Sequence, residues 1–252
     1  MRQLGWKLAI PSYCRPDLAT EHFLLPYAHL VIDDSQEAEY REALDRAGRQ
    51  PLELVTTDAR GIGATRNFIR EHLQEPSDRW CFSTDDDIQW IMPTMRYQPS
   101  KYQTRDPMTA LGIVENTGAM AEDMAIGNFS YIRRLMVGKN VLRFSHEPFT
   151  LHLTAEMTAA GVLDPSIPFD DAMHSMCEDI DLSLQMLAKH RIVLTDNRWW
   201  WKSGQWTVGG CAMNRDISTR NAANRRLQRR WGSGAIQIDD DKHGSRVTVK
   251  RA

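Results

Sequence analysis

The chain has 252 residues, 42% of them hydrophobic and 25% charged, with a formal net charge of −2; this fits one large globular domain, or a domain plus an appendage, with a sizeable core. No apolar run approaches the roughly 20 residues that cross a bilayer, and the apolar stretch within Met1–Pro16 is too short for a secretory signal, so no membrane partner is expected. Cys14, Cys81, Cys177 and Cys211 are widely spaced without a C-x-x-C pair, which argues against a zinc site and for reduced thiols in the cytoplasm.

In chain order, Leu8–Ile10 is a short strand stopped by Pro11, and a helix is predicted over Asp17–Leu25 with Asp17 as its N-cap. His29–Ile32 is a second strand, ending at Asp33-Asp34. Ser35–Ala47 follows as a helix, capped by Ser35, with acids in its first turn and Gly48 as its stop. Leu52–Thr56 is a third strand, Gly61-Ile62-Gly63 leads into a helix over Ala64–Gln74, and Trp80–Thr84 is a fourth strand ending in Asp85-Asp86-Asp87. Strands alternating with helices at this spacing predict an α/β fold with a parallel sheet. Ligands gather at the carboxyl ends of strands in such sheets, and Asp33-Asp34, Gly61-Ile62-Gly63 and the aspartate triplet all fall at such ends.

Tyr97–Arg105 is polar and loop-like, and Ala125–Tyr131 and Val141–Phe144 are further strands. Thr154–Gly161 is predicted as a helix closed by its glycine. A longer helix covers Glu178–His190, with Ile180, Leu184 and Leu187 on one face, and Ile192–Leu194 is another strand. Beyond Trp199 the pattern changes to tryptophan, then glycine, then a basic helix over Asp216–Arg230.

Four motifs carry chemistry. Three acids closing a buried strand repel one another, and a divalent cation relieves that repulsion; hard carboxylate oxygens suit Mg²⁺ or Mn²⁺, which would hold a diphosphate leaving group. A solvated turn with capping acids gives the same triplet. Glu178-Asp179 opens a helix, where acids complement the macrodipole, or else aims a carboxylate into a cleft as general base. Gly61-Ile62-Gly63 can present backbone N–H groups to an anion, with Arg66 on a phosphate or the nucleotide, unless Arg66 pairs with surface acids. Pro11-Ser12-Tyr13-Cys14-Arg15-Pro16 follows the first strand, so Tyr13 can lie against a nucleobase and Arg15 against a phosphate, unless the segment is only a rigid loop.

The order of these pieces resembles the nucleotide-sugar half of GT-A glycosyltransferases: Pro11-Ser12-Tyr13-x-Arg15-Pro16, Val31-Ile32-Asp33-Asp34-Ser35, Gly63-x-x-Arg66-Asn67, then Asp85-x-Asp87. Ala160-Gly161-Val162-Leu163-Asp164, Pro168-Phe169-Asp170 and Glu178-Asp179-Ile180-Asp181-Leu182 look like the acceptor side of that fold, so the resemblance spans roughly 7–195. It implies a Rossmann-like, mixed but mostly parallel sheet flanked by helices, with a GT-A domain at 1–208 and a basic C-terminal segment at 209–252 that packs on the acceptor side, either as an extension or as part of the same domain. Pro11, Tyr13 and Arg15 would surround the nucleotide, and Asp33 or Asp34 would accept from the base. Gly63, Arg66, Asp85 and Asp86 would also serve the donor. Asp85 and Asp87 would bind the metal, and Asp179 would be the base, with Glu178 beside it. Many such enzymes place a metal-binding His after the last strand of this half, where this chain reads Asp196-Asn197-Arg198-Trp199-Trp200-Trp201-Lys202. His243, or water and phosphates, would complete the shell.

From 213 to 252 there are ten Lys/Arg and four Asp/Glu, a surplus of +6 that leaves −8 for the rest. An acidic body with a basic end hints at a polyanionic partner. Ile10-Pro11-Ser12-Tyr13, Arg66-Asn67, the triplet and Gly209-Gly210 look similar to the TET-associated glycosyltransferases encoded by phages and to the base-J glucosyltransferase type. That resemblance implies a UDP-sugar donor, DNA bearing 5-hydroxymethylpyrimidine as acceptor, and the host cytoplasm if the chain is phage-encoded. The base would be flipped out or single-stranded. Trp199, Trp200, Trp201 and Trp206 would then grip the base, and Arg220, Arg225, Arg226, Arg229 and Arg230 the backbone, unless the tryptophans are core and the helix merely soluble. Three alternatives stand beside it: a glycan, lipid or protein acceptor, a nucleotidyltransferase, and a non-enzymatic nucleic-acid-binding protein.

Overall fold

A computed structural model describes residues 4–93, 102–132, 159–173, 177–204, 217–241 and 244–249. Among these residues eight strands form one mixed sheet: β1 (Lys7–Ser12), β2 (His29–Asp33), β3 (Glu53–Thr57), β4 (Cys81–Thr84), β5 (Ile88–Pro93), β6 (Asn128–Ile132), β7 (Ala159–Val162) and β8 (Leu194–Ser203). Their spatial order is β3-β2-β1-β4-β7-β6-β8-β5. β1 runs parallel to β2 and β4, β2 to β3, and β6 to β8, whereas β7 is antiparallel to β4 and β6, and β5 to β8. The predicted mostly parallel α/β sheet is therefore present. The parallel register gathers the carboxyl ends of β1, β2, β3 and β4, the arrangement that makes a ligand crevice.

The helices among these residues are α1 (Pro16–Glu21), α2 (Glu37–Ala47), α3 (Ile62–Phe68), α4 (Pro107–Asp123), α5 (Glu178–His190) and α6 (Ile217–Trp231). A separate hairpin of β9 (Ile236–Asp241) and β10 (Gly244–Val249) follows. Strand alternation divides the apolar residues between two faces. Leu8, Ile10, Leu30, Ile32 and Phe82 share one core with Trp6, Trp80, Phe129, Tyr131 and Trp201 and with residues of α1, α2 and α4. Ala9, Val31 and Cys81 face Ile69 on the other side. Burial of each large aliphatic residue contributes roughly 1.5–3 kcal/mol, so the face-to-face partition fixes the register. None of the described helices is long and apolar enough to cross a membrane.

Several boundaries differ from the sequence reading. Asp17 lies inside α1, whose N-cap is Arg15, because Pro16 takes the first helical position where its missing N–H costs nothing. Ser35 is not the cap of α2: Asp33 accepts the Ser35 N–H, a 3₁₀ turn covers Asp34–Gln36, and α2 begins at Glu37. Gly48 does stop α2, at φ +62°, where a side chain would be strained. The helix expected over Ala64–Gln74 starts at Ile62 and passes into a π turn at Ile69–Leu73.

Residues 159–161 are strand rather than the end of a helix, because β7 is needed between β4 and β6, and a β-carbon at Gly161 would overlap the Phe129 ring. The rest of the Thr154–Gly161 expectation, Val141–Phe144 and most of the Tyr97–Arg105 loop lie outside the described residues. β5, α4 and the hairpin are absent from the sequence reading. α4 is apolar around much of its circumference, with Ala110, Leu111, Ile113, Val114, Thr117 and Ala121 buried, so it lacks the one-sided pattern that marks a surface helix.

Candidate active site

The loop after β1 is the first wall of the crevice. Tyr40, fully buried on α2, places its hydroxyl 2.7 Å from Ser12 Oγ and accepts the Arg15 N–H at 3.1 Å. One turn earlier, Gln36 Oε1 accepts the Cys14 N–H at 3.1 Å while its Nε2 donates to Cys14 Sγ at 2.7 Å. Cys14 sits at φ +53°, a conformation uncommon for a side-chain-bearing residue, and these bonds hold it there. Tyr13 is left 42% exposed at the tip, while Pro11 is buried in β1.

Asp86 belongs to this wall. Ser12 Oγ donates to its Oδ2 at 2.6 Å, and Arg15 Nη1 lies 3.1 Å from its Oδ1. Burial pushes the Asp86 carboxyl above its ordinary value, against the opposing pull of Ser12 and Arg15. Arg15 and Asp86, both expected on the donor, thus also pair with each other and tie the β1 loop to the triplet.

At the end of β2, Asp33 accepts the Ser35 N–H at 2.9 Å and meets Arg60 Nη1 at 2.8 Å; Asp34 meets Arg60 Nη2 at 3.0 Å. Burial alone would raise the Asp33 carboxyl, but the Ser35 hydrogen bonds and the Arg60 charge outweigh it and hold it below the usual range. No sequence motif marks Arg60 for this role.

α3 supplies the centre. Gly61, at φ +89°, turns the chain into the helix. Gly63 is buried and lies against the 170–171 turn, where a β-carbon would stand in ordinary contact, 3.5 Å from the Asp170 carbonyl. Asn67 clamps that turn: its Nδ2 donates to the Phe169 carbonyl at 2.9 Å and to Asp171 at 2.8 Å, and its Oδ1 accepts the Phe169 N–H at 2.8 Å. Arg66 has a side chain only 11% exposed, with Asp85 Oδ1 and Glu178 Oε1 each at 3.3 Å and the Phe169 ring centroid at 5.6 Å. The strand-end triplet and the acidic pair of α5 therefore converge on one guanidinium. Arg66 thus meets the buried Glu178 and the one-third-exposed Asp85.

The triplet divides its work. Asp85 is one-third exposed beside Arg66, Asp86 is turned to Ser12 and Arg15, and Asp87 is buried. Asp85 and Asp87 offer hard oxygen donors that fit Mg²⁺ or Mn²⁺. Among the described residues no group of three or more His, Cys, Asp or Glu is assembled for a metal. The stretch 196–202 is part of β8, with Asp196 buried against Thr117 and Arg198, so it serves packing; His243 lies outside the described residues.

Glu178 and Asp179 open α5, both buried. Asp179 accepts the Ile180 N–H at 2.8 Å. Cys177 before them is left-handed at φ +64°, and its thiol lies 3.0 Å from Asn224 Oδ1 of α6. Burial, with Asp179 and Glu178 nearby, pushes that thiol up to about 12, so it stays protonated and donates.

The tryptophan expectation needs correcting. Trp201 is fully buried and stacks on Tyr131 with centroids 4.9 Å apart, Trp199 packs on the same core, and Trp200 sets its edge against Trp90 at 5.1 Å. Alternation along β8 sends Trp199 and Trp201 to one face, so the triplet cannot act as one base-gripping surface. Trp206 and Gly209-Gly210 lie outside the described residues.

A family model described as TET-Associated Glycosyltransferase matches residues 11–210. Among solved structures, the chain is similar to glucosyl-3-phosphoglycerate synthase from Mycobacterium tuberculosis in complex with Mg²⁺ and uridine diphosphate, at TM-score 0.50 and 10% identity over 97% of this chain and 86% of that one. It is also similar to S. aureus TarS 1–349, at TM-score 0.48 and 12% identity over 78% of this chain and 60% of that one; it therefore spans less than two thirds of that structure. No curated protein matches. The fold is that of GT-A glycosyltransferases.

Proposed function

Because the chain belongs to the TET-associated glycosyltransferase family, we propose that it moves a sugar from a nucleoside-diphosphate donor, a UDP-sugar, to the hydroxyl of a 5-hydroxymethylpyrimidine in DNA. The observation that carries the reading is the Arg66 bridge, which brings Asp85 and Glu178 together across the crevice. Such a transfer needs a cationic site for the leaving diphosphate and a carboxylate for the incoming hydroxyl within one cleft.

In this reading the nucleotide lies along the ends of β1 and β2. Tyr13 and Pro11 flank the base, Asp33 or Asp34 accepts from it, and Arg15, Gly63, Arg66 and Asp86 line the path of ribose and phosphates. Asp85 and Asp87 would hold Mn²⁺ or Mg²⁺, which would supply positive charge for the departing diphosphate. Arg66 adds a fixed positive charge and orients Asp85. Glu178 is committed to Arg66, so the general base falls to Asp179, which takes the acceptor proton as the sugar bond forms; a base there suits inversion at the anomeric carbon. The UDP-bound glycosyltransferase-fold neighbour and the family description support the donor and the acceptor respectively. The cytoplasm, that of the host if the chain is phage-encoded, suits both the DNA and the free Cys14, Cys81 and Cys177.

The test is to incubate the protein with a panel of nucleotide sugars, Mn²⁺ and hydroxymethylated DNA, single- and double-stranded. Released nucleotides are measured, and digested nucleosides are weighed by mass spectrometry. UDP release with a hexose-sized mass gain on hydroxymethylpyrimidine is expected. UDP release only with a glycan, lipid or protein would move the acceptor, and pyrophosphate release from a nucleoside triphosphate would replace the reading with nucleotidyl transfer. No turnover with any donor would leave a binding protein.

A further inference from the structure

α6 carries five arginines and no acidic residue, which read in sequence as one basic helix. The structure separates them. Arg226 Nε lies 2.9 Å from Asp170, and Arg230 Nη1 lies 2.7 Å from Asp181, whose side chain is fully buried and also accepts the Trp231 Nε1–H at 2.7 Å. Burial pushes the Asp181 carboxyl up, while the Trp231 bond and the Arg230 charge pull it back. Leu227 on the same inner face packs with Ile180, Leu184, Met173 and Ile236. This face is a structural seam that joins α6 and β9 to α5.

Arg225 and Arg229 are one helical turn apart, exposed, and form no ion pair among the described residues. Two arginines without an ion pair among the described residues, on a helix that carries no acidic residue, are placed to meet an external anion. The helix also rims the proposed acceptor side. Its Arg226 holds Asp170, whose carbonyl abuts Gly63 of α3, and its Asn224 meets Cys177 immediately before Glu178-Asp179.

We propose that the outer face of α6, marked by Arg225 and Arg229, is where the phosphate backbone of a nucleic acid docks, while the inner face of the same helix positions the Glu178-Asp179 turn. This rests on the DNA-acceptor reading above and assigns the backbone contacts to two of the five arginines. Long guanidinium side chains roughly 6 Å apart along the axis reach separate phosphates. Each phosphate neutralised releases counterion, which makes binding salt-dependent. On this assignment α6 and β9 are no separate appendage but complete the acceptor half of the GT-A body.

The test uses the full chain, a fluorescently labelled DNA duplex and single strand, and fluorescence anisotropy across a salt series. The double variant Arg225→Ala/Arg229→Ala is expected to bind about tenfold more weakly near physiological salt. Its slope of log affinity against log salt should be shallower by about 2, with the melting temperature of the wild type. Arg226→Ala/Arg230→Ala should lower the melting temperature instead, and Arg41→Ala, on α2, should leave the slope unchanged. Wild-type affinity and slope in the Arg225/Arg229 variant would overturn the proposal, as would wild-type protein that prefers anionic lipid vesicles to DNA. If the wild type modifies DNA yet the variant binds it equally well, this docking assignment fails and the function stands. If the wild type releases UDP but binds no DNA, both this assignment and the DNA acceptor fail.

Discussion

The guanidinium of Arg66 stands 3.3 Å from the carboxylate of Glu178, a residue 112 positions later in the chain. Both side chains are 11% exposed, so the pair operates where water screens poorly. Two acids from distant segments, Glu178 and Asp85, are thereby held close without mutual repulsion.

Removing that cation is expected to cost both stability and turnover. Arg66→Ala leaves Glu178 buried without its partner, which costs about 3–5 kcal/mol in comparable sites, and removes a charge from the leaving-group side, lowering kcat by roughly 10²-fold. Arg66→Lys should recover most of the stability and less of the activity, because an ammonium does not reproduce the two-armed geometry. Thermal melting and steady-state kinetics on both variants check this; wild-type kcat in Arg66→Ala would remove Arg66 from the chemistry.

Metal and donor binding should be linked through Asp85 and Asp87. With UDP at about 100 times its dissociation constant, ligand binding stabilises the fold by about 2.7 kcal/mol, and most of that gain should require Mn²⁺ and vanish with a chelator. Asp87→Asn is expected to abolish the Mn²⁺-dependent part while keeping the fold. A thermal shift with UDP that is identical with and without Mn²⁺ would show that the two carboxylates serve something else.

Tyr40 touches no expected substrate atom, yet it anchors Ser12 and the Arg15 backbone in the loop that presents Tyr13. Tyr40→Phe keeps the buried ring and deletes only the hydroxyl, leaving Ser12 and the Arg15 N–H to find other partners. We expect the donor KM to rise about fivefold to tenfold, equivalent to roughly 1–1.4 kcal/mol, with kcat within about twofold. A fall in kcat at constant KM would instead place Tyr40 in the reaction step.

Asp164 predicts a specific acid sensitivity. Burial would raise its carboxyl, but hydrogen bonds from Lys189, Ser166 and His190 outweigh that and hold it well below the ordinary carboxylate range. A folded value below the unfolded one means that this group stabilises the protein above the unfolded value of about 3.9 and that the contribution is lost as pH falls through the folded value. Asp164→Asn should lower the melting temperature at neutral pH and narrow its gap to wild type as pH drops below about 4. An equal gap at pH 7 and in strong acid would contradict the assignment.

Much of the donor half was legible because its signals are local. The β1, β2 and β4 apolar runs end at acids or at the Pro11–Pro16 loop, Gly48 stops α2, and the span Glu178–His190 is the helix the periodicity predicts. α4 was not, since a helix buried on several sides carries no amphipathic period. β7 was misread because Gly161 has the same letter whether it stops a helix or makes room for the Phe129 ring. Gln36 and Tyr40 stood at i, i+4 on a predicted helix, but nothing local distinguished their inward face from any other.

The sequence alone determined which chemistries were available: an acid triplet closing a strand, a Gly-x-x-Arg-Asn turn, a Glu-Asp pair opening a helix, and arginines dense enough for a polyanion. Only the tertiary structure decided their pairing. Asp86 turned to Arg15, Arg66 took Asp85 and Glu178, and Asp170 and Asp181 claimed Arg226 and Arg230 but not Arg225 or Arg229. Composition and spacing count charges, whereas electrostatic energy depends on distance and burial, and these arise only when the fold brings together residues 19 to 112 positions apart in the chain.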